Sequence, residues 1–220
     1  TQGILLAGSR RIAMGNFGKA TAIADELIPR QSAQINILID IALIVGYAAL
    51  TGLSAQIKVY LNPAVPITGQ TFAVLLAGAT LGSKRGGASM LVYLAAGIAG
   101  IPVFASGGAI AEASRGYLLG FVAAATIVGL LTERGWGKNP AKLVTAMLIG
   151  EVAIYVFGLA WLAFYIPDAV LSNRSRLGVL YDWGLEDFII GDAIKLVLAA
   201  VGVPITWEAI RRLKGRERSH

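Results

Sequence analysis

Apolar residues in this chain collect into long runs separated by short polar joints, with no sustained two-residue alternation that would mark half-buried strands. Six runs stand out, at about 35–57, 66–82, 86–105, 117–132, 142–166 and 185–210, each ended by charge, glycine or proline. An α-helix rises about 1.5 Å per residue, so roughly 20 apolar residues cross the hydrocarbon of a bilayer. The runs therefore predict six transmembrane helices. The second and fourth fall short of that length, and irregular backbone is expected at their ends.

Composition moves the picture the same way. Of 220 residues 56% are hydrophobic and only 15% charged, more apolar than a water-soluble core requires. The expectation is an all-α integral membrane protein, with a spanning domain over 35–212, an N-terminal extension over 1–34 and a basic tail over 213–220. Cysteine is absent, which excludes disulfides, thiolate nucleophiles and cysteine-held metals. The single histidine, His220, is a disordered terminal residue in this reading. Ser9-Arg10-Arg11 is followed by Asp25, Glu26 and Arg30 rather than an apolar segment, so no cleaved signal is expected.

The net charge of +6 lies in the joints between runs and forms no patch on a polar domain, so it argues for topology and against a nucleic-acid partner. Fourteen Lys and Arg fall before the first run, after the sixth, and in the joints carrying Lys84 and Arg134. The opposite joints hold four: Lys58, Arg115, Arg174 and Arg176. That asymmetry predicts a multi-pass protein of the plasma membrane with both termini cytoplasmic. Residues 19–30 place Ala20, Ile23, Ala24, Leu27 and Ile28 opposite Lys19, Asp25 and Glu26, which suits either a short interfacial helix or a loosely ordered tail. Trp136, Trp161, Trp183 and Trp207 fall near the ends of runs, where indoles anchor to the headgroup zone.

Four formal charges lie more than three residues inside the ends of the runs: Asp40, Glu151, Asp192 and Lys195. Each costs about 2.5–3.5 kcal/mol at mid-bilayer, so each needs a reason to be there. Asp40 is close enough to the interface to need none. Glu151 suits either a cavity wall or a packing hydrogen bond. Asp192 and Lys195 are three apart on one helical face, presenting an acceptor beside a donor to a polar ligand, or pairing only with each other.

Two glycine-rich segments flank the third run, Gly82–Gly87 and Phe104–Gly108. Neither is a phosphate loop, and no P-loop pattern occurs in the chain, so it has no ATP site of that kind. The joint over 101–116 can fold over a ligand as a lid, with Gly107 and Gly108 as permissive backbone, or serve as an ordinary connection. Asn62-Pro63-Ala64 occurs once, whereas aquaporin-like channels carry the tripeptide twice. Ala42 with Gly46 and Ala48 with Gly52 are small residues four apart that permit close helix approach.

The stretch Val65-Pro66-Ile67-Thr68-Gly69-Gln70-Thr71-Phe72-Ala73 resembles the BioY family, the biotin-binding S components of energy-coupling-factor (ECF) transporters. The likeness continues through Arg85-Gly86-Gly87, Tyr93-Leu94, Gly100-Ile101-Pro102, Gly116-Tyr117-Leu118, Ile154-Tyr155-Val156-Phe157-Gly158 and Gly191-Asp192-Ala193-Ile194-Lys195, over about residues 40–212. It implies a six-helix S-component bundle that captures biotin at its outer side and delivers it inward. It implies as partners an EcfT-type transmembrane subunit and ATPase subunits, with self-association as the alternative.

On that resemblance Asp192 and Lys195 meet the ureido ring, while Gln70, Tyr93, Phe104, Gly107, Gly108 and Tyr117 are wall or lid positions. No cofactor is expected, since biotin is cargo. The competing readings are an S component or solitary carrier for another vitamin, and a structural subunit of a membrane complex. An intramembrane enzyme is disfavoured, because no histidine lies within a run and no Ser–Lys pair is apparent across them.

Overall fold

The computed structural model describes residues 22–28, 31–59, 61, 65–107, 111–186, 201–203 and 205. Asp192, Lys195, Gly108, Trp207, the basic tail and most of the sixth run lie outside them. Among the described residues the chain forms α1 (Ile23–Leu27), α2 (Ala33–Ser54), the strands β1 (Lys58–Val59) and β2 (Ile67–Thr68), α3 (Gln70–Leu81) and α4 (Ser83–Ile98). A 3-10 turn, Glu112–Ser114, then leads into α5 (Arg115–Glu133). A second, Trp136–Lys138, precedes α6 (Pro140–Tyr165), and α7 (Asp168–Leu171), α8 (Arg176–Tyr181) and a π-helical turn over Asp182–Glu186 follow.

Local chemistry sets several of these boundaries. The Ser32 hydroxyl accepts from the Ile35 amide at the start of α2. Pro140 opens α6 with Asn139 as its cap, accepting from the Lys142 amide at 3.1 Å. The fifth run is thus a 26-residue helix, close to its predicted extent. The second run differs from expectation. Ile67 and Thr68 pair with Val59 and Lys58 in a two-stranded antiparallel ribbon. The helix that follows has 12 residues, about 18 Å, too short to cross a bilayer. The third run leaves the helix at Ile98, because Gly100 adopts φ 93° and Pro102 follows, so residues 99–105 form a loop. At the head of the sixth run, Leu185 and Glu186 close the π-helical turn. Three segments among the described residues are long and apolar enough to span: Ala33–Ser54, Glu112–Glu133 and Pro140–Tyr165.

Among the described residues the most extensive helix interface joins α5 to α6, and glycine makes it possible. A Cβ on Gly120 would lie 2.8 Å from the Ile154 Cα, and one on Gly116 would lie 2.4 Å from the Phe157 carbonyl oxygen. Fully buried Leu75, Val128, Leu143, Met147, Ile154 and Leu162 fill the space between α3, α5 and α6. The outer faces are as apolar as the inside, with Leu38 66% and Leu53 70% exposed on α2 and Phe164 90% exposed on α6. Such faces are stable only against lipid. Of the small-residue pairs on α2, Ala48 and Gly52 are buried, with Gly52 near Val103, while Ala42 and Gly46 are exposed.

The α3–α4 hairpin is held by polar contacts. Gly82 turns the chain at φ 83°, and Glu133 at the end of α5 accepts from the Ser83 amide at 2.7 Å, capping α4 from another helix. One turn on, Arg85 reaches Asp25 of α1 at 2.7 Å and Asp40 of α2 at 2.9 Å. Asp40 therefore has a partner, contrary to the expectation that its depth needed none. The same contact clamps α1, whose Ile23 and Ala24 are buried, against the bundle. Residues 23–27 are thus helical and packed.

Candidate functional site

At the end of the bundle away from this hairpin, the start of α3, the start of α5 and the second half of α6 diverge and leave a cavity of about 650 Å³, counting its open mouth. From β2 and α3 it receives Val65, Pro66, Thr68, Gln70 and Thr71. From α5 and the turn before it come Ala111, Ser114, Tyr117, Leu118 and Phe121, spaced at three and four residues so that one helical face lines the wall. By the same spacing α6 presents Glu151, Ile154 and Tyr155. The loop after α4 covers one side with Phe104, Ala105 and Ser106.

That loop is fastened rather than draped. The Phe104 ring is 2% exposed and meets the Tyr93 ring edge-on, with centroids 5.4 Å apart. Room for it exists because residue 97 is glycine, whose Cβ would fall within the ring's van der Waals surface. Lys58 on β1 donates to the Ala105 carbonyl, tying the ribbon to the loop. Gly107 takes φ 82° and closes a turn onto the Phe104 carbonyl at 2.9 Å, a conformation that favours glycine.

A polar chain runs from the wall to the layer behind it. The Thr68 hydroxyl donates to Gln70 Oε1 at 2.9 Å, Gln70 Nε2 donates to the Tyr93 hydroxyl at 2.5 Å, and that hydroxyl donates to the Val103 carbonyl at 3.4 Å. Both ends of the Gln70 amide are thereby fixed. On the opposite wall the Tyr117 hydroxyl donates to the Gly184 carbonyl at 2.9 Å, joining α5 to the π-helical turn. Trp161 donates from its indole N–H to the Glu112 carbonyl at 2.7 Å, closing the rim between α6 and the turn before α5.

The family model described as the BioY family matches residues 28–212. This chain belongs to the BioY family. Its relatives include the probable biotin transporter BioY of Pyrococcus horikoshii, 37% identical over 74% of this chain and 92% of that one. The probable biotin transporter BioY of Lysinibacillus sphaericus is 32% identical over 74% and 84%, and the biotin transporter BioY of Thermotoga maritima is 36% identical over 70% and 88%. Among solved structures, the S-component for biotin from an ECF-type ABC transporter superposes with a TM-score of 0.67, covering 81% of this chain and 95% of that one. At 24% identity this likeness establishes a shared fold. Membership of BioY and the lipid-facing helices make the chain an integral membrane protein.

Of the positions singled out from the sequence, Gln70, Phe104 and Tyr117 line the cavity directly. Tyr93 stands one layer back, holding Gln70 and Phe104. Gly107 shapes the loop from outside the lining. Asp192, Lys195 and Gly108 fall outside the described residues. The site reading left out Thr68, Thr71, Ser114, Phe121, Ile154 and Tyr155, while Glu151, for which a cavity wall and a packing hydrogen bond were both open, is among the lining residues. For Glu151, Ile154 and Tyr155 a signal was present, since a charge in a long apolar run marks the helical face that repeats at three and four residues.

Proposed function

We propose that this chain is the biotin-binding component of a vitamin uptake system, taking biotin from the extracellular side and passing it inward. The observation that carries this is the cavity itself: aromatic and aliphatic walls with a few fixed polar groups, in a chain of the BioY family. Phe104, Tyr117, Phe121 and Ile154 suit the thiophane ring and valeryl chain. Gln70, with Asp192 and Lys195 on the sixth helix, supplies the donors and acceptors that a ureido ring and a carboxylate require.

Sidedness follows from charge. The cavity opens at the end whose joints hold Lys58, Arg115, Arg174 and Arg176, while the hairpin carrying Lys84 and Arg85 and the turn carrying Arg134 and Lys138 lie at the other. The sparse end is extracellular and both termini are cytoplasmic. On this proposal the sixth apolar run would supply the sixth helix.

Energy for uptake comes, on this proposal, from partners, an ECF module with an EcfT-type subunit and ATPases, since the sequence carries no P-loop pattern. Support for this partnership is the fold shared with the S component. Mass spectrometry of the gently purified protein should detect co-purified biotin in preference to other vitamins. Release of a different vitamin, or of none after exposure to biotin, would count against the reading.

A further inference from the structure

Lys58 and Thr68 stand opposite each other in the β1–β2 ribbon. Directly opposed residues of an antiparallel pair share a face, and here both side chains connect to the loop after α4. They do so by separate routes. Lys58 donates from its ammonium group to the Ala105 carbonyl. Thr68 donates to Gln70, which donates to Tyr93, which donates to the Val103 carbonyl. The two carbonyls flank Phe104, so the ribbon grips the loop on both sides of the ring that seats it.

The two attachments differ in kind. Thr68, Gln70, Tyr93 and Phe104 are all buried, so the inner route breaks only by leaving polar groups unpaired away from water. Lys58 is exposed, and water can replace it on the carbonyl at little cost. The inner attachment is therefore the fixed end of the loop and the outer one the releasable end. Backbone freedom follows the same division. Gly107 adopts φ 82°, and a Cβ there would meet nothing within 4 Å, so the chain can turn at this point without collision. Between Phe104 and Gly107 lie only Ala105 and Ser106, and both line the cavity.

On the biotin reading above, we infer that Lys58 is a positioning residue that straps Ala105 and Ser106 over the cavity and so sets how long the ligand stays. It acts through the loop backbone and needs no contact with the ligand. Releasing the strap uncovers the cavity while Phe104 keeps its seat. Entry and departure then quicken by similar factors, and equilibrium affinity changes little.

The test measures rates. Association and dissociation of biotin are followed for the parent, Lys58→Met and Lys58→Arg, with melting temperatures in the same detergent. High salt is used throughout, where attraction between an anionic ligand and a surface lysine is screened. Lys58→Met should dissociate about threefold to tenfold faster, the range for one hydrogen bond, with association no slower and the melting temperature unchanged. Lys58→Arg, which keeps a charged donor on a long side chain, should restore the parent's rates. Unchanged dissociation in Lys58→Met, or slower association, would overturn the strap. Faster dissociation that Lys58→Arg shares, or that comes with earlier melting, would overturn it too and make Lys58 a structural residue of the ribbon. Failure of the parent itself to bind biotin would instead overturn the function proposed above.

Discussion

Gln70 hands its amide hydrogen to the hydroxyl of Tyr93 at 2.5 Å, so the first residue of α3 is locked to α4 behind the cavity wall. Because Thr68 donates to the other end of the same amide, the side chain has one orientation, and the loop after α4 joins the chain through Val103. Tyr93→Phe keeps the ring that supports Phe104 but removes the acceptor. The buried amide then loses a partner, at a cost of about 1–3 kcal/mol. A lower melting temperature together with a several-fold loss of biotin affinity is expected. Thermal unfolding and ligand titration of the purified variant check both.

Arg85 gathers Asp25 and Asp40 at the opposite end, with 14% of its side chain exposed. Replacing it by Met leaves two carboxylates facing each other and frees α1. Each pair is partly solvated, so the expected loss is about 0.5–1 kcal/mol per pair, shrinking as salt is raised. Melting curves at low and high salt measure it, and biotin affinity should remain unchanged because the cluster is remote from the cavity.

Much of this organisation was legible because apolar runs of about 20 residues have few other uses, and α2, α5 and α6 follow from them. The limits of that signal are visible in α3. Residues 66–82 read as one run, yet a two-residue ribbon takes Ile67 and Thr68, a pairing with Lys58 and Val59 too short to leave a periodic pattern. Gly100 and Pro102 did mark where α4 ends, but apolar Ile101 and Val103 masked them in a count of hydrophobicity. In the site, Gln70, Phe104 and Tyr117 came from family likeness rather than from spacing. The partnership of Arg85 with Asp40 spans 45 positions and leaves no local trace, so both looked like interfacial charges. Glu151 was conspicuous as a charge in lipid, whereas its place among the cavity-lining residues depended on how closely α5 and α6 approach at Gly120.

Topology can be tested cleanly because the chain contains no cysteine. A cysteine at Ser172 should react with a membrane-impermeant thiol reagent in intact cells, and one at Lys138 should react only after permeabilisation. The reverse pattern would place the cavity on the cytoplasmic side.

On the proposed function, Asp192 and Lys195 are expected to meet the ureido ring. Asp192→Asn keeps the shape but replaces part of the acceptor surface with a donor, so affinity should fall by about tenfold to a hundredfold. Lys195→Met should also weaken binding. Variants that bind like the parent while melting earlier would make the two residues a packing pair.

The central claim is that this cavity holds biotin. Ser114 sits at its mouth, half-buried, and Ser114→Trp should place an indole in the space the ligand needs without disturbing the core. An equilibrium titration of biotin into the purified parent and into Ser114→Trp is the direct measurement. The account predicts saturable binding by the parent and a loss of at least about tenfold in the variant at an unchanged melting temperature. Absence of binding to the parent, or equal affinity in both proteins, would contradict it.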